Sequence, residues 1–360
     1  MDKNKKVLII GPFPNPITGL NLANLTVKHL LEKSNHSVRT IDMEINRELD
    51  NSIGKWKWYK LKIFIIYLEI YKIFNSHVIY CTIGQSFLGV IKYAPFVIMA
   101  SLLRKKKIVH LHGNALKENY AQFSKFKKAL ARFTLQRFDK AIVLSKSLKH
   151  NFIPFLSAEK IVTLHNFISL EPHSYKKETL NKDSNILFLS NLLPAKGIIP
   201  FLEAVEIVSK KHSINVAVAG IPSQDHPEIM EMMERLKFVT YYGKVNGAEK
   251  ANLFQQADIF CLPTLNEHEG QPLAILEAFA SDCYVIASDV PGISDIFSDK
   301  NGDLLWPVTS YDLSLLMESA ILNKEKVDSV KKYNKNMAKN FTIKEFGEKL
   351  LPIICHDEFK

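Results

Sequence analysis

The sequence predicts an α/β protein of two doubly wound domains, each built on a parallel β-sheet. Its 360 residues exceed what one hydrophobic core usually supports, and an apolar content of 47% is ample for two cores. Short apolar runs alternate with helical patterns in both halves, and a polar stretch without periodicity separates them. We therefore expect an N-terminal domain over residues 1–170, a linker over 171–184 and a C-terminal domain over 185–340.

The strands of both sheets are predicted from apolar runs of strand length. In the first half these runs lie at residues 6–10, 37–42, 77–81, 106–112, 140–144 and 160–164. In the second half they lie at residues 185–189, 214–219, 239–242, 259–262 and 284–287. The loop after the first run ends at Gly19, where a helix begins and the backbone could approach a ligand closely. An ordinary strand-to-helix loop is the alternative there.

Charge is divided unequally between the halves. Residues 1–170 carry 27 Lys and Arg against 10 Asp and Glu, a net charge of +17, whereas residues 171–360 carry 20 against 27, a net charge of −7. A basic chain can bind nucleic acid, but the sequence has no zinc-finger spacing, aromatic-basic RNA motif or helix-turn-helix signature. We therefore expect no nucleic-acid partner.

The cysteines and the apolar stretches indicate a soluble or peripheral protein of a reducing compartment. Only four strongly apolar residues follow the basic start, so no signal peptide is expected. The longest uncharged stretch, residues 93–103, is shorter than the roughly 18–20 apolar residues of a spanning helix. The cysteines are widely spaced and are predicted to be reduced core thiols, at Cys81, Cys261, Cys283 and Cys355.

Two carboxylates stand at the junction of a predicted strand and helix. Glu269 precedes the helix that Pro272 introduces, and Glu277 lies within it, with seven residues between the two glutamates. The helix is apolar on nearly every side, so Glu277 is expected to be buried and to need a partner. The alternative is that Glu277 lies on a wet edge and Glu269 only favours the helix dipole.

This stretch resembles the signature of the family-4 retaining glycosyltransferases, which have the GT-B fold. The matching residues are Glu269-Gly270, the run from Pro272 to Ala280 and the run from Val285 to Ser288. Further landmarks follow in the family's order, so the resemblance covers nearly the whole chain. It implies two Rossmann-like domains facing across a cleft, with a final helix over residues 341–360 that crosses back to the N-terminal domain.

The resemblance also implies roles for individual residues. Glu269 would hold a hydroxyl of the donor sugar, and Glu277 would bind the ribose of the nucleotide. The backbone that follows Glu269 would help to bind the diphosphate, and glycines at loop and strand ends would admit the donor closely. The donor-binding set is then completed by Gly270, Gln271, Pro272, Leu273, Gly220 and Gly19, although this chain has Thr18-Gly19 where the family usually has two glycines.

Lys196 is predicted to bind the diphosphate. It follows the first strand of the second half and is expected to open the next helix, where free amides and the helix dipole favour negative charge. The family has an arginine five residues before this lysine, but here the position is Asn191, so one positive charge stands where two are usual. A solvated lysine in a first helical turn is the alternative.

Two histidines end a strand of the first half on the same alternating face. The resemblance assigns His112 to contact with the donor sugar, and His110 is expected to pack behind it. Two histidines at this spacing could also bind a metal, but no carboxylate or cysteine ligand lies nearby in sequence. The sequence also contains no Asp-x-Asp motif, so we expect neither a metal nor a cofactor.

The function implied is transfer of a hexosyl or N-acetylhexosaminyl group from a nucleotide-diphosphate sugar, with UDP favoured over GDP, to a saccharide acceptor. The expected catalytic residues are Glu269, His112 and Lys196, acting with retention of anomeric configuration. The resemblance suggests assembly of a bacterial cell-surface polysaccharide such as O-antigen, capsule or exopolysaccharide. A sugar-nucleotide epimerase and a non-catalytic nucleotide-sugar-binding subunit remain as alternatives; Asn191 favours the latter and the intact glutamate pair opposes it.

Basic and aromatic residues occur together in two segments of the first half, at residues 55–68 and 123–138, and residues 104–107 add a third, purely basic cluster. Amphipathic basic helices with Trp and Phe suit the plane of an anionic bilayer. We therefore expect a cytoplasmic protein attached peripherally to the inner membrane leaflet, acting on a lipid-linked acceptor. In the alternative, Trp56, Trp58 and Phe126 pack inward and the lysines form only a solvated face.

Overall fold

The computed structural model describes residues 4–14, 18–44, 63–170 and 183–356. The chain divides into two compact units. The first consists of Met1–Asn166 together with Ile343–Lys360, and the second of Phe167–Thr342.

The first unit contains a six-stranded parallel sheet in the order β2-β1-β3-β4-β5-β6. The strands are β1 (Lys6–Gly11), β2 (Ser37–Asp42), β3 (Val78–Thr82), β4 (Lys106–Leu111), β5 (Lys140–Val143) and β6 (Ile161–Thr163). β3 is buried along its whole length, as expected for a strand covered by helices on both faces. The strand order reverses between β1 and β3, which is where ligands bind in sheets of this kind.

Helices cover both faces of this sheet. They are α1 (Gly19–Lys33), α2 (residues 63–68 of the described part), α3 (Phe87–Ile91), α4 (Ala94–Leu102), α5 (Leu116–Gln122), α6 (Lys125–Leu135) and α14 (Ile343–Cys355). Short 3-10 helices lie at Glu69–Ile73, Ser147–Asn151 and Ala158–Lys160. α14 packs against α1, where Gly347 faces Leu30. Lys106 Nζ lies 2.8 Å from the carbonyl oxygen of Ile353 and so stabilises the end of α14.

The second unit contains a parallel sheet in the order β12-β11-β10-β7-β8-β9. Its strands are β7 (Ser184–Leu189), β8 (Ile214–Ala219), β9 (Val239–Tyr241), β10 (Ile259–Leu262), β11 (Tyr284–Ser288) and β12 (Gly302–Leu305). Its helices are α7 (Ile198–Ser209), α8 (Glu228–Arg235), α9 (Gly247–Gln256), α10 (Leu273–Ala280), α11 (Pro291–Ser294), α12 (Ser310–Leu322) and α13 (Lys324–Ala338). This strand order, with β7 and β10 at the centre, is that of the dinucleotide-binding fold.

The predicted fold class is confirmed, and every predicted strand is present within one or two residues. One strand, β12, was missed. Its four residues include Gly302 and Asp303, which are poor strand formers, and it forms because it pairs with β11 at the sheet edge.

Two helix starts differ from the prediction. Lys196 does not open a helix, because Pro194–Lys196 is a 3-10 turn and α7 begins only at Ile198. Pro272 caps α10 from outside with an extended backbone, at φ −62° and ψ 125°, so the first helical residue is Leu273.

The buried thiols were predicted correctly, since all four cysteines are free and buried. Among the described helices, none combines the length and the apolar character needed to span a bilayer.

The outer surface of the first unit carries large apolar side chains beside lysines. Phe126 is 72% exposed and Phe133 is 46% exposed on α6, so the alternative in which Phe126 packs inward does not hold for this residue. Further exposed apolar side chains lie on α2 and the 3-10 helix that follows it, at Phe64, Ile65, Leu68 and Tyr71. The basic segment at residues 55–62, with Trp56 and Trp58, lies outside the described residues.

Candidate functional site

Two loops meet where the strand order of the second unit reverses. One follows β7 and runs from Ser190 to Gly197, and the other follows β10 and runs from Pro263 to Pro272. The carbonyl oxygen of Ala195 accepts hydrogen bonds from Leu265 N at 2.9 Å and from Thr264 Oγ1 at 3.0 Å. This edge is the position at which open α/β sheets bind ligands.

Gly197 is required for this junction of the loops. Its φ of +77° lies in the left-handed region, and a Cβ atom there would approach the carbonyl oxygen of Pro263 to 1.8 Å. The chain therefore turns sharply after Lys196 and places that side chain over the second loop.

Lys196 and Glu269 form a bidentate ion pair. Lys196 Nζ lies 2.8 Å from Glu269 Oε1 and 2.7 Å from Oε2. The Lys196 side chain is 23% exposed and the Glu269 side chain is 12% exposed, so the pair is reached by solvent but not fully hydrated. Thr264 Oγ1 lies 3.4 Å from Glu269 Oε2. Two predicted catalytic side chains, 73 residues apart, are thus brought together.

Glu277 is fully buried in the second turn of α10. Lys250 Nζ, from the first turn of α9, lies 2.6 Å from its carboxylate, and Ser169 Oγ donates a hydrogen bond to Glu277 Oε1. The expected partner of the buried carboxylate is therefore present, but the sequence analysis did not identify it. The sequence offered one indication of this partner, because Lys250 lies near the start of a helix, where the helix dipole does not favour a cation.

The other predicted donor-binding residues of the second unit lie along the same edge of the sheet. Gly220 directly follows β8, and a Cβ atom there would meet the carbonyl oxygen of Ser190 at 1.7 Å, so two strand ends approach closely. Asn191 is exposed and Gln271 is buried. Gly270 and Gln271 lie directly between Glu269 and the start of α10, with Pro272 and Leu273 at that start.

In the first unit, His112 follows the end of β4 and stacks on His110. The two ring centroids are 4.1 Å apart, and His110 Nδ1 lies 2.5 Å from Tyr80 Oη. Although His112 as a whole residue is only half-buried, its Nε2 atom is shielded from solvent and has no hydrogen-bond partner among the residues that the structure describes. Burial lowers the pKa of His112 to about 4, and burial together with His112 holds the pKa of His110 well below its ordinary value. Both rings are therefore neutral near pH 7.

Gly19 begins α1 at the reversal point of the first sheet. Nearby, Asn24 Nδ2 lies 2.8 Å from the carbonyl oxygen of Pro12 and 2.8 Å from Thr82 Oγ1, which fixes the loop after β1 to the end of β3. Among the described residues of the chain, no group of three His, Cys, Asp or Glu side chains is arranged to hold a metal ion.

Comparison with known families bears directly on the second unit. Residues 171–337 match the family model described as glycosyl transferases group 1. The strand order, the reversal point and the matched span all fall in the same part of the chain. Residues 171–337 are thus similar in sequence to the group 1 glycosyltransferases, and the chain has the fold of GT-B glycosyltransferases.

Curated relatives of this GT-B chain are distant. It is 26% identical over 250 residues to an uncharacterized glycosyltransferase of Methanocaldococcus jannaschii, covering 61% of this chain and 63% of the relative. It is 30% identical over 183 residues to the N,N'-diacetylbacillosaminyl-diphospho-undecaprenol alpha-1,3-N-acetylgalactosaminyltransferase of Campylobacter jejuni, covering 48% and 46%. It is 25% identical over 217 residues to an O-antigen chain mannosyltransferase of Salmonella typhimurium, covering 58% of each. The matches span less than two thirds of the length of each relative.

Solved structures share the fold over nearly the whole chain. A protein from Anabaena in complex with UDP and glucose matches with a TM-score of 0.73 and 16% identity, covering 97% of this chain and 99% of that one. Sucrose-phosphate synthase from Thermosynechococcus elongatus matches with a TM-score of 0.75 and 14% identity, covering 97% and 98%. At these identities the likeness concerns the fold.

Proposed function

We propose that the protein is a retaining glycosyltransferase that transfers a sugar from a nucleotide-diphosphate sugar to a saccharide acceptor. The observation that carries the proposal is the Lys196–Glu269 pair at the reversal point of the second sheet, within the span that matches the group 1 family. One side chain of the pair suits a diphosphate and the other suits sugar hydroxyls, as a donor of this class requires.

In this proposal, binding of the donor breaks the ion pair between Lys196 and Glu269. The Lys196 ammonium turns from the carboxylate to the diphosphate, where it stabilises the charge that develops as the diphosphate leaves. The Glu269 carboxylate is released to accept hydrogen bonds from hydroxyls of the donor sugar. Because lysine supplies this charge, the reaction is proposed to need no metal.

The remaining donor contacts are assigned along the same edge of the sheet. The nucleotide is proposed to lie towards Glu277, which serves the ribose, and Gly220, which has no side chain, is proposed to admit the nucleoside at the end of β8. Asn191 and the backbone of residues 270–273 face the diphosphate. UDP is favoured as the nucleotide, and the Anabaena protein of the same fold has been crystallised with UDP, with UDP and glucose, and with UDP-glucose.

The chemical step is a displacement with retention. The acceptor hydroxyl attacks the anomeric carbon from the face on which the diphosphate departs, so that a new glycosidic bond forms while the bond to the phosphate oxygen breaks. That phosphate oxygen takes the proton of the acceptor hydroxyl. His112, neutral near pH 7, is proposed to orient the donor sugar through a hydrogen bond.

The acceptor is proposed to be a lipid-linked saccharide of a cell-surface polysaccharide. Two of the relatives described above have names that include a diphospho-undecaprenol and an O-antigen chain. The first unit offers basic and apolar groups for such a partner, since Phe126 and Phe133 are exposed on a helix that also carries Lys125, Lys127 and Lys128. We propose peripheral attachment to the inner leaflet through this surface.

A donor screen tests the proposal. The protein is incubated with UDP-, GDP- and ADP-sugars, with and without undecaprenyl-diphosphate-linked saccharides, and release of the free nucleoside diphosphate is measured. We expect release from one class of donor, increased by an acceptor, and loss of it in Lys196→Met. Conversion of a donor to its epimer, or binding of a donor without turnover, would replace the proposal with the epimerase or the non-catalytic subunit.

A further inference from the structure

The buried carboxylate of Glu277 contacts Lys250, whose side chain is partly exposed at the protein surface. Glu277 itself is 0% exposed, whereas the Lys250 side chain that lies 2.6 Å from its carboxylate is 19% exposed. Ser169 Oγ donates a further hydrogen bond to Glu277. Of these two side chains, only that of Lys250 is reached by solvent.

Helix stability alone does not account for the position of Lys250. It is the fourth residue of α9, near a helix end where the helix dipole does not favour a cation. The Asn246 side chain makes no capping hydrogen bond to this turn. A buried ion pair also contributes little net stability in comparison with apolar residues of the same size. The position of Lys250 is therefore set by its contact with Glu277 and not by a preference of the helix itself.

The ion pair leaves an N–H group of the Lys250 ammonium available for a hydrogen bond to a ligand. A lysine ammonium has three N–H donors, and a single carboxylate in this geometry takes one or two of them. Glu277 fixes the place of the ammonium, and Ser169 Oγ donates a hydrogen bond to Glu277 Oε1. At least one N–H can then be directed at an acceptor oxygen.

The position of Lys250 matches a need of the proposed donor. A diphosphate carries at least two negative charges, yet Asn191 stands where a second cation is usual beside Lys196. α9 follows β9 and α10 follows β10, so the Lys250–Glu277 pair joins helices that both begin at the ligand-binding edge of the sheet. The pair thus places a second cation within the donor-binding half of the chain.

We infer that Lys250 is a donor-binding residue whose ammonium, positioned by Glu277 and Ser169, donates a hydrogen bond to an oxygen of the donor's nucleoside diphosphate. The inference rests on the proposed function and names a residue that acts in it. On this inference the effect of Glu277 on the nucleotide, assigned above to the ribose, is exerted largely through Lys250, and Ser169 positions Glu277.

Calorimetric titration with UDP and with GDP tests the inference. We compare the wild type with Lys250→Met, Lys250→Arg, Glu277→Gln and the double variant Lys250→Met/Glu277→Gln. Since a hydrogen bond to a charged group is worth roughly 1.5–3 kcal/mol, Lys250→Met should weaken binding of the preferred nucleotide by at least about tenfold. Lys250→Arg should restore part of it. The double variant should be no weaker than Lys250→Met alone, because the two side chains act as a unit.

Lys331→Met is the matched control. Lys331 forms a comparable pair with Asp258 at 2.9 Å, with side chains 16% and 26% exposed, but Asp258 precedes β10 and so lies at the opposite edge of the sheet. Thermal unfolding of every variant separates stability from binding. We expect Lys331→Met to change only stability.

The outcomes are distinguishable. If Lys250→Met lowers the unfolding temperature but binds the nucleotide as the wild type does, the pair is structural and the inference is overturned. If Lys250→Met does not fold, nucleotide binding and unfolding temperature are compared in the same way for Lys250→Arg and Glu277→Gln. If the wild type binds neither UDP nor GDP and turns over none of the donors screened, the proposed function itself fails.

Discussion

Lys196 Nζ lies within 2.8 Å of both carboxylate oxygens of Glu269, so the two side chains assigned to opposite ends of the sugar-phosphate bond neutralise each other in this structure. Removal of either partner leaves the other as a half-buried charge without its counterion. The pair is consequently coupled in stability as well as in the proposed chemistry.

We predict that Lys196→Met and Glu269→Gln each lower turnover strongly and in a non-additive way. Loss of one electrostatic contact in a transition state typically costs a factor of about 10²–10³ in kcat. Because both groups act on one bond, the double variant should lose no more than about tenfold beyond the worse single variant. Steady-state rates with the preferred donor measure this, and a fully multiplicative loss would show that the two groups act independently.

Metal independence and stereochemistry form a second prediction. Because lysine is proposed to supply the positive charge, activity should persist after dialysis against EDTA. The product should keep the anomeric configuration of the donor, which the coupling constant of the anomeric proton in an NMR spectrum reports. Activity restored only by Mg²⁺ or Mn²⁺ contradicts the first part, and an inverted linkage contradicts the second.

A third prediction concerns acid stability. The pKa of His112 is lowered from 6.5 to about 4 by burial, so in the window between these values the unfolded chain binds a proton at this position that the folded chain does not. Stability should therefore fall as pH is lowered from about 6.5 towards 4, and should be unaffected by this group above that window. In urea unfolding, the free energy of unfolding of His112→Asn should decrease less than that of the wild type when the pH is lowered from 7.5 to 5.

His29→Asn is the control for that experiment, because His29 is exposed on α1 in the same unit. It should follow the wild type across the pH range. An equal loss of stability in His112→Asn and in the wild type would show that the ring does not titrate in this window.

The fourth prediction concerns the membrane. The protein should sediment with vesicles of phosphatidylglycerol at low salt, and less with phosphatidylcholine or at high salt, since each basic side chain near an anionic surface contributes about 1 kcal/mol. Phe126→Ser/Phe133→Ser should reduce binding. Tyr311→Ser, which alters a side chain 63% exposed in the second unit, should not. Binding that is absent or indifferent to lipid charge would leave a soluble acceptor.

The sequence by itself determined the fold class and most of the strands. The run at residues 259–262, Ile-Phe-Cys-Leu, is recognisable as a strand because a parallel sheet covered on both faces requires continuous apolar segments. The burial of Glu277 also followed from its apolar neighbours in α10. Local composition is enough for these features because each depends on residues within one turn or one strand.

Tertiary structure decided which charges meet. Lys196 and Glu269 are 73 residues apart, Lys250 and Glu277 are 27 apart, and Ser169 reaches Glu277 across 108 residues. β12 likewise exists only because β11 pairs with it. These contacts depend on strand order and on where loops turn, as at Gly197, and no local pattern encodes the distance between side chains on different strands.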